Sequence, residues 1–97
     1  MALMRLVWSE RFRAELRREF GYIQARNPVA ARVVRERIVK AVRRLRQYPE
    51  SGRSWRLPGC RELVVPGLPY IVIYKVREDA VIVASLFHAS RAAPHVH

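Results

Sequence analysis

The sequence predicts a single α+β domain over residues 1–97, built from a strand, an antiparallel hairpin of two helices and a mainly antiparallel meander of three strands. Three observations predict this fold class. The chain has 97 residues, enough for one small domain and too few for two. Apolar residues recur at helical spacing in its first half. The second half changes to a period of two and is rich in β-branched and aromatic residues, as strands are.

The predicted first strand, at residues 4–8, leads into a helix. Ser9 follows as a good N-cap, because its hydroxyl can accept a hydrogen bond from a backbone N–H of the first turn. Apolar side chains then recur at spacings of four, four and three, which places them on one face of a helix. They are Phe12, Leu16, Phe20 and Ile23.

A second helix is predicted to begin at Pro28. The residue before a proline is pushed out of helical geometry, Asn27 can cap, and proline is preset for the first helical position. Its apolar series consists of Ala31, Val34, Ile38, Ala41 or Val42, and Leu45. The helix should stop near Tyr48 and Pro49, since proline cannot continue it. The short link between the helices predicts an antiparallel hairpin.

Three strands are predicted after a loop at residues 50–59. Within that loop, residues 55–57 could be a short strand or an ordered turn. The strands are expected at residues 61–65, 70–76 and 81–87. Residues 71–73 are apolar in succession, as in a central strand with both faces covered, so we expect a second covering layer that a partner could supply. Residues 92–97 are predicted to be a flexible tail, or one ordered only by a partner.

The formal charge of +11 favours an acidic or polyanionic partner. An arginine-rich proteome explains the excess equally well, because only two of the 19 basic residues are lysines, Lys40 and Lys75. Cys60 is the only cysteine, which excludes an internal disulfide and a zinc site of the usual Cys/His spacing. No segment has the apolar length of a signal peptide or a membrane span. We therefore expect a soluble, cytoplasmic protein without a cofactor or a metal.

Three segments of the second half resemble a known family of bacterial toxins. They are Arg61-Glu62-Leu63, Pro66-Gly67-Leu68-Pro69-Tyr70 and Leu86-Phe87-His88-Ala89-Ser90-Arg91. In combination, and with the basic helical hairpin before them, they resemble the RelE/ParE superfamily of toxins from type II toxin–antitoxin systems. The resemblance covers nearly the whole chain, and the turn at residues 66–70 is closer to the ParE branch.

The two branches of this superfamily imply different functions. RelE-like members cut messenger RNA in the ribosomal A site, which needs a general base, a group for the leaving oxygen and cations that stabilise the phosphate. For that chemistry the resemblance implies Arg61, His88 and Arg91, although a lone histidine at a strand end is more often structural. ParE-like members poison DNA gyrase instead. Tyr70 stands where the ribonuclease members typically have an arginine, which favours the ParE branch.

A ParE-like toxin implies DNA gyrase as its target and a cognate antitoxin protein, bound in a heterodimer or a heterotetramer; the alternative is a ribosome-dependent mRNA endonuclease. The basic hairpin is expected to meet the antitoxin's acidic C-terminal segment and the gyrase–DNA complex. The antitoxin, unstructured alone, is expected to fold onto an apolar groove beside the sheet and helices. The residues expected to contact the antitoxin or the target are Arg13, Arg17, Phe20, Arg35, Tyr70, Tyr74, His88 and Arg91. A plain nucleic-acid-binding module is a further alternative, but the chain has no recognised RNA- or DNA-reading motif.

Carboxylates are expected to pair with the arginines of the hairpin. Those that stand three or four residues from an arginine, the spacing at which helical side chains meet, are Glu10, Glu15, Glu19 and Glu36. Glu62 follows Arg61 in a strand, so the two side chains point to opposite faces. We expect Glu62 to pair with a basic helix residue or to face solvent.

Overall fold

A computed structural model describes residues 3–90 and confirms the α+β class. The chain folds in the order β1 (Arg5–Trp8), α1 (Glu10–Gln24), α2 (Pro28–Arg44), β2 (Arg53–Ser54), β3 (Cys60–Val64), β4 (Tyr70–Val76) and β5 (Ala80–His88). Arg91 and the predicted tail at residues 92–97 lie outside the described residues. Within the described part of the chain, neither helix has an apolar run that could cross a bilayer.

All five strands form one mixed sheet in the order β1-β5-β4-β3-β2. The predicted meander is confirmed, because β3, β4 and β5 pair antiparallel, and β2 adds to the outer edge of β3. β1 lies parallel to β5, with Arg5 opposite Ala80 and Trp8 opposite Val83. A parallel pair needs a long crossover connection, to which the two helices contribute.

The helices begin where the sequence predicts. Ser9 Oγ and Asn27 Oδ1 each accept a hydrogen bond from the backbone N–H three residues later, at 3.0 and 3.1 Å. α2 ends earlier than expected, at Arg44 rather than near Pro49. The next three backbone N–H groups bond carbonyls three residues back, which tightens the chain into turns before Pro49.

The helices pack on one face of the sheet, the helix side, and bury the main core there. α1 contributes Phe12 and Leu16, the first two positions of its predicted apolar face, and Ile23 packs at the edge of the core. The other buried residues of this core are Ile38, Ala41, Val42, Leu45, Val65, Tyr70, Val72, Tyr74, Val81, Val83 and Leu86. Each large side chain buried here contributes about 1.5–3 kcal/mol through the apolar surface that it removes from water.

A smaller cluster covers the second face of the sheet. Cys60 and Ile73 are buried there, and Trp55, Leu57 and Phe87 pack against them. The loop before β3 therefore supplies part of the second layer that the apolar central strand predicts. These loop residues form an ordered turn, and the short strand lies directly before them as β2.

Glu15 joins α1 to an irregularity in β5. The register of the β4–β5 ladder shifts by one residue, which leaves Ala84 as a bulge. Glu15 Oε1 accepts hydrogen bonds from Ser85 Oγ and Leu86 N–H, both at 3.0 Å. The arginine pairing expected of this carboxylate is present as well, since Arg11 Nε lies 3.6 Å from Oε2.

Glu62 is paired differently from the expectation. Its partner is Arg53, which lies opposite it on β2, and not a helix residue. Cross-strand neighbours share one face of a sheet, which brings the two charges together. Because Arg53 is largely exposed, the pair contributes only about 0–1 kcal/mol.

Candidate functional site

A groove runs between the two helices, and four arginines line it. Its volume is about 530 Å³. We call the residues that line it the hairpin groove: Arg13, Leu16, Arg17 and Phe20 of α1, Arg35, Val39 and Arg43 of α2, and Trp8 of β1. Half of the residues expected to bind a partner therefore meet in one place, namely Arg13, Arg17, Phe20 and Arg35.

Helical spacing builds the two walls of this groove. Arg13 and Arg17 stand one turn apart on α1. On α2, Val39 stands between Arg35 and Arg43, four residues from each. Because residues four apart share a helix face, each set forms one row along its helix. Sequence reasoning missed Val39 as a site residue, although its spacing between two arginines was a usable signal.

The groove combines an apolar floor with a cationic rim. The apolar residues are Trp8, Leu16, Phe20 and Val39, and none of the described residues that line the groove is acidic. Its four arginines are exposed, whereas Leu16 is buried. Such a surface suits a segment that is both acidic and apolar, because the arginines steer its approach and the floor buries its apolar side chains.

Tyr70 and His88 form a pair at one end of the sheet. They lie opposite each other on β4 and β5, and their rings meet edge to face with centroids 5.4 Å apart. Tyr70 is buried and His88 is partly exposed. Nδ1 of His88 accepts a hydrogen bond from Ser90 N–H at 3.2 Å and lies 2.7 Å from Ser90 Oγ. In the described part of the chain, no group of three His, Cys, Asp or Glu side chains is arranged to hold a metal ion.

Tyr74 lies in the core, and its hydroxyl holds a loop in place. The side chain is fully buried. The hydroxyl donates to the Pro49 carbonyl and accepts from Gly52 N–H, each at 2.8 Å. Arg61 completes this arrangement, because its Nη1 donates to the Gly52 carbonyl at 2.7 Å. Tyr74 therefore has no surface left for the partner contact that the sequence suggested.

Two of the three residues implied for RNA cleavage lie far apart. Arg61 is opposite Tyr74 on β4, while His88 is opposite Tyr70. Tyr70 and Tyr74 are four residues apart, about 13 Å along the strand, and β3 and β5 flank β4 on opposite sides. The third residue, Arg91, is outside the described part of the chain. The backbones of Arg61 and His88 are therefore well separated in this arrangement.

Burial raises the pKa of the Tyr74 hydroxyl above its usual range, and the hydrogen bond from Gly52 and the charge of Arg61 offset part of this rise. The fold therefore favours the neutral phenol. The neutral phenol's contribution to the free energy of unfolding is fully present below the pKa of this tyrosine in the unfolded chain, about 10. It is lost as the pH rises through the raised pKa of the folded protein.

We expect Tyr74→Phe to lower the free energy of unfolding by about 1–2 kcal/mol at neutral pH, because two backbone groups lose their hydrogen-bond partner. The variant should also lose less stability than the native chain between about pH 9 and about pH 11, since it has no phenol at this site. Urea unfolding across this range measures both effects. Tyr48→Phe is the matched control, because Tyr48 is 47% exposed. Equal pH dependence in the native chain and Tyr74→Phe would contradict the prediction.

Comparison with known families gives a match over most of the sequence. Residues 6–93 match the family model described as the ParE toxin of type II toxin–antitoxin system, parDE. The chain is 38% identical over 96 residues to Y4kP of Sinorhizobium fredii, which covers 99% of each chain. It is 35% identical over 89 residues to toxin RelE2 of Caulobacter vibrioides, which covers 92% of this chain and 99% of the relative.

Solved structures with the same fold include members of both branches. A chain of the chromosomal ParDE toxin–antitoxin system from P. aeruginosa superposes with a TM-score of 0.81 at 22% identity, covering 89% of this chain and 96% of that chain. The isolated E. coli RelE toxin superposes with a TM-score of 0.65 at 22% identity, covering 92% of this chain and 87% of that chain. At these identities the likeness concerns the fold.

Proposed function

Because the chain belongs to the ParE toxin family of type II toxin–antitoxin systems, we propose that it stops growth by blocking DNA gyrase. A toxin of this type has a cognate antitoxin as its partner, and we propose the hairpin groove as the antitoxin's binding site. The observation that favours gyrase over the ribosome as the target is the Tyr70–His88 pair. A buried aromatic ring occupies the position at which RNA-cleaving relatives typically hold a phosphate-binding arginine.

RNA cleavage would require Arg61 and His88 to act together on one phosphate. Attack by a 2′-hydroxyl needs a base, an acid and cations within hydrogen-bond reach of one phosphate. Nδ1 of His88 already bonds Ser90 N–H, and Arg61 donates to the carbonyls of Gly52 and Glu50. These contacts give both side chains structural tasks. A toxin that blocks gyrase by binding needs an exposed surface instead, and no group that exchanges a proton.

The antitoxin assignment is supported by the charge and shape of the hairpin groove. An acidic amphipathic helix would bury its apolar face on Leu16, Phe20 and Val39. Its carboxylates would then reach the arginines on both walls, which form strong charge-assisted hydrogen bonds with such groups. An antitoxin segment that is disordered alone would fold as it binds, so the free toxin presents the groove open.

The purified chain is expected to inhibit DNA supercoiling by gyrase, and His88→Asn should inhibit within about twofold of the native chain, because a proton-exchanging group is not needed for this mechanism. Asparagine is a matched substitution, since its Oδ1 can take the place of Nδ1 as acceptor for Ser90 N–H. A supercoiling assay over a range of toxin concentrations measures the effect. Addition of the cognate antitoxin should restore supercoiling.

Ribosome-dependent cleavage of messenger RNA is the second candidate, favoured by the 35% identity to toxin RelE2. It makes the opposite prediction for the same two proteins. The native chain would leave supercoiling intact and cut messenger RNA in a cell-free translation reaction. His88→Asn would cut at a rate reduced about 100-fold or more, since it lacks a general base. That combination of results would contradict the gyrase proposal.

A further inference from the structure

A second cleft lies on the other side of α2 from the hairpin groove, between that helix and the edge of the sheet. Its volume is about 470 Å³. We call its lining the α2–β3 cleft: Arg37, Lys40, Ala41 and Arg44 of α2, Leu63 of β3, and Ser51 and Pro66 of the adjoining loops. It shares no lining residue with the hairpin groove, so two segments of one partner chain could occupy the two sites at once.

Three cations stand along one wall of this cleft. Arg37, Lys40 and Arg44 are three and four residues apart, so they share one side of α2 and span about 10 Å along its axis. None of the ion pairs described within residues 3–90 involves them, and none of the described residues that line the cleft is acidic. The row of positive charge therefore has no counter-charge within the cleft.

The strand beside the cleft has an open edge at Val64. β2 pairs with β3 only as far as Glu62. Val65 N–H bonds the Tyr70 carbonyl on β4. Because successive residues of a strand point their backbone groups to opposite sides, the N–H and C=O of Val64 point away from β4, towards the outer edge. Val64 is also 51% exposed, so this residue is accessible to a ligand.

We propose that this cleft and the edge at Val64 bind an extended acidic segment of the antitoxin, added to the sheet as a short strand beside β3. The inference rests on the proposed antitoxin pairing and adds a second contact site to it. A residue opposite Val64 would bond its N–H and C=O and cover its side chain on the second face. The residues before and after it would point to the helix side, where carboxylates reach Arg37, Lys40 and Arg44.

The apolar floor of the cleft and the open strand edge favour a peptide over duplex DNA. Ala41, Leu63 and Pro66 give it an apolar floor, whereas duplex DNA binds basic surfaces mainly through charged phosphates. An extended peptide carries the backbone donors and acceptors that an open strand edge can pair with. With one segment in the hairpin groove and another in the α2–β3 cleft, a single antitoxin chain would hold α2 from both sides.

A labelled peptide tests this inference without gyrase and without the natural antitoxin. The probe is a short acetylated peptide in which Glu and Val alternate, and a second peptide replaces each Glu by Gln. We expect the acidic peptide to bind the native chain in fluorescence anisotropy and to shift the backbone amide signal of Val64 in NMR spectra. The double substitution Arg37→Glu and Lys40→Glu should weaken binding about tenfold or more, and the Gln peptide should bind the native chain similarly weakly.

Two matched controls are needed. The first separates the effect of charge in the cleft from the effect of net charge, and the second separates the role of the Val64 backbone N–H from that of its side chain. Arg18→Glu with Arg77→Glu makes the same change of net charge at exposed positions that line neither site, and it should leave the affinity within about twofold. Val64→Pro removes the N–H at the open edge, whereas Val64→Thr keeps the N–H and the branched shape, so only proline should weaken binding. Thermal unfolding of each variant checks that the fold is retained; if Val64→Pro unfolds, the two charge-reversal pairs decide.

Equal weakening by the two charge-reversal pairs would overturn the inference. An unchanged Val64 amide signal would do so as well, and so would a duplex DNA oligonucleotide that shifts this signal when the acidic peptide does not. None of these results depends on gyrase inhibition. Failure of this inference can therefore be distinguished from failure of the proposed function, which the supercoiling assay tests separately.

Discussion

Replacement of Gly52 by alanine is expected to lower the free energy of unfolding by about 3 kcal/mol and to release the loop before β2. A Cβ at this position would lie 2.6 Å from the Tyr74 hydroxyl oxygen and 2.7 Å from the Glu62 carbonyl oxygen. The hydroxyl is bonded to Pro49, and the carbonyl belongs to a residue of the β2–β3 ladder, so neither atom can move without loss of hydrogen bonds. The backbone at Gly52 would shift instead and break its bonds to Tyr74 and Arg61.

Urea unfolding of the purified chain measures this effect, with Gly21→Ala as the matched control. A Cβ at Gly21 meets nothing within 4 Å, and Gly21 lies inside α1, where alanine is about 0.5–1 kcal/mol more favourable than glycine. The same substitution should therefore stabilise the chain at one glycine and destabilise it at the other. A Gly52→Ala variant as stable as the native chain would contradict the packing of this loop. A cost of Tyr74→Phe that is smaller in the Gly52→Ala variant than in the native chain would support it, because the hydrogen bond between these two residues would already be lost.

Local chemistry explains why much of this fold can be predicted from the sequence. Ser9 and Asn27 bond backbone groups only three residues away, so the start of each helix follows from a few neighbouring residues. The β3–β5 meander is similarly local, because tight turns join its strands, and each strand shows either alternating apolar and polar residues or an uninterrupted apolar run. Both features depend on short stretches of chain, and both are confirmed.

Contacts between distant residues account for what the sequence does not reveal. Glu15 has the spacing of a helical partner for arginines, but it also bonds Ser85 and Leu86, which follow the bulge and lie 70 and 71 residues along the chain. Tyr74 occupies an ordinary strand position, and only the folded loop shows that its hydroxyl is enclosed by Pro49 and Gly52. Patterns of burial and alternation carry no information about which distant segment covers a given side chain.

The candidate site is predictable to the extent that it depends on single helices. Spacing alone identifies Arg13 and Arg17 as exposed cations on one amphipathic helix, and Arg35 as an exposed cation on the other. Trp8 and Val39 cannot be assigned in this way, because the angle at which two helices meet decides which side chains line the space between them. The groove is therefore a property of the hairpin and not of either helix.

Reversal of one charge on each wall of the hairpin groove is expected to free the toxin from its antitoxin. In the double variant Arg17→Glu and Arg35→Glu, carboxylates of the bound segment would face like charges from both helices. We expect the affinity for the cognate antitoxin to fall about 100-fold or more, roughly 2.7 kcal/mol, because lost pairing is added to new repulsion. Calorimetry with the purified antitoxin measures the affinity. In bacteria that express both proteins, growth should stop with the variant and continue with the native toxin.

Arg18→Glu with Arg77→Glu again serves as the control, since it changes the net charge equally at exposed positions outside the groove. Long-range attraction between a basic toxin and an acidic partner depends on net charge and is screened by salt, so it would weaken in both variants alike. Contacts within the groove would be lost only in the first. If both variants are neutralised as well as the native toxin, the antitoxin binds elsewhere on the chain. If the groove variant folds but no longer arrests growth, the same arginines also contact the target, because loss of an antitoxin site alone cannot reduce toxicity.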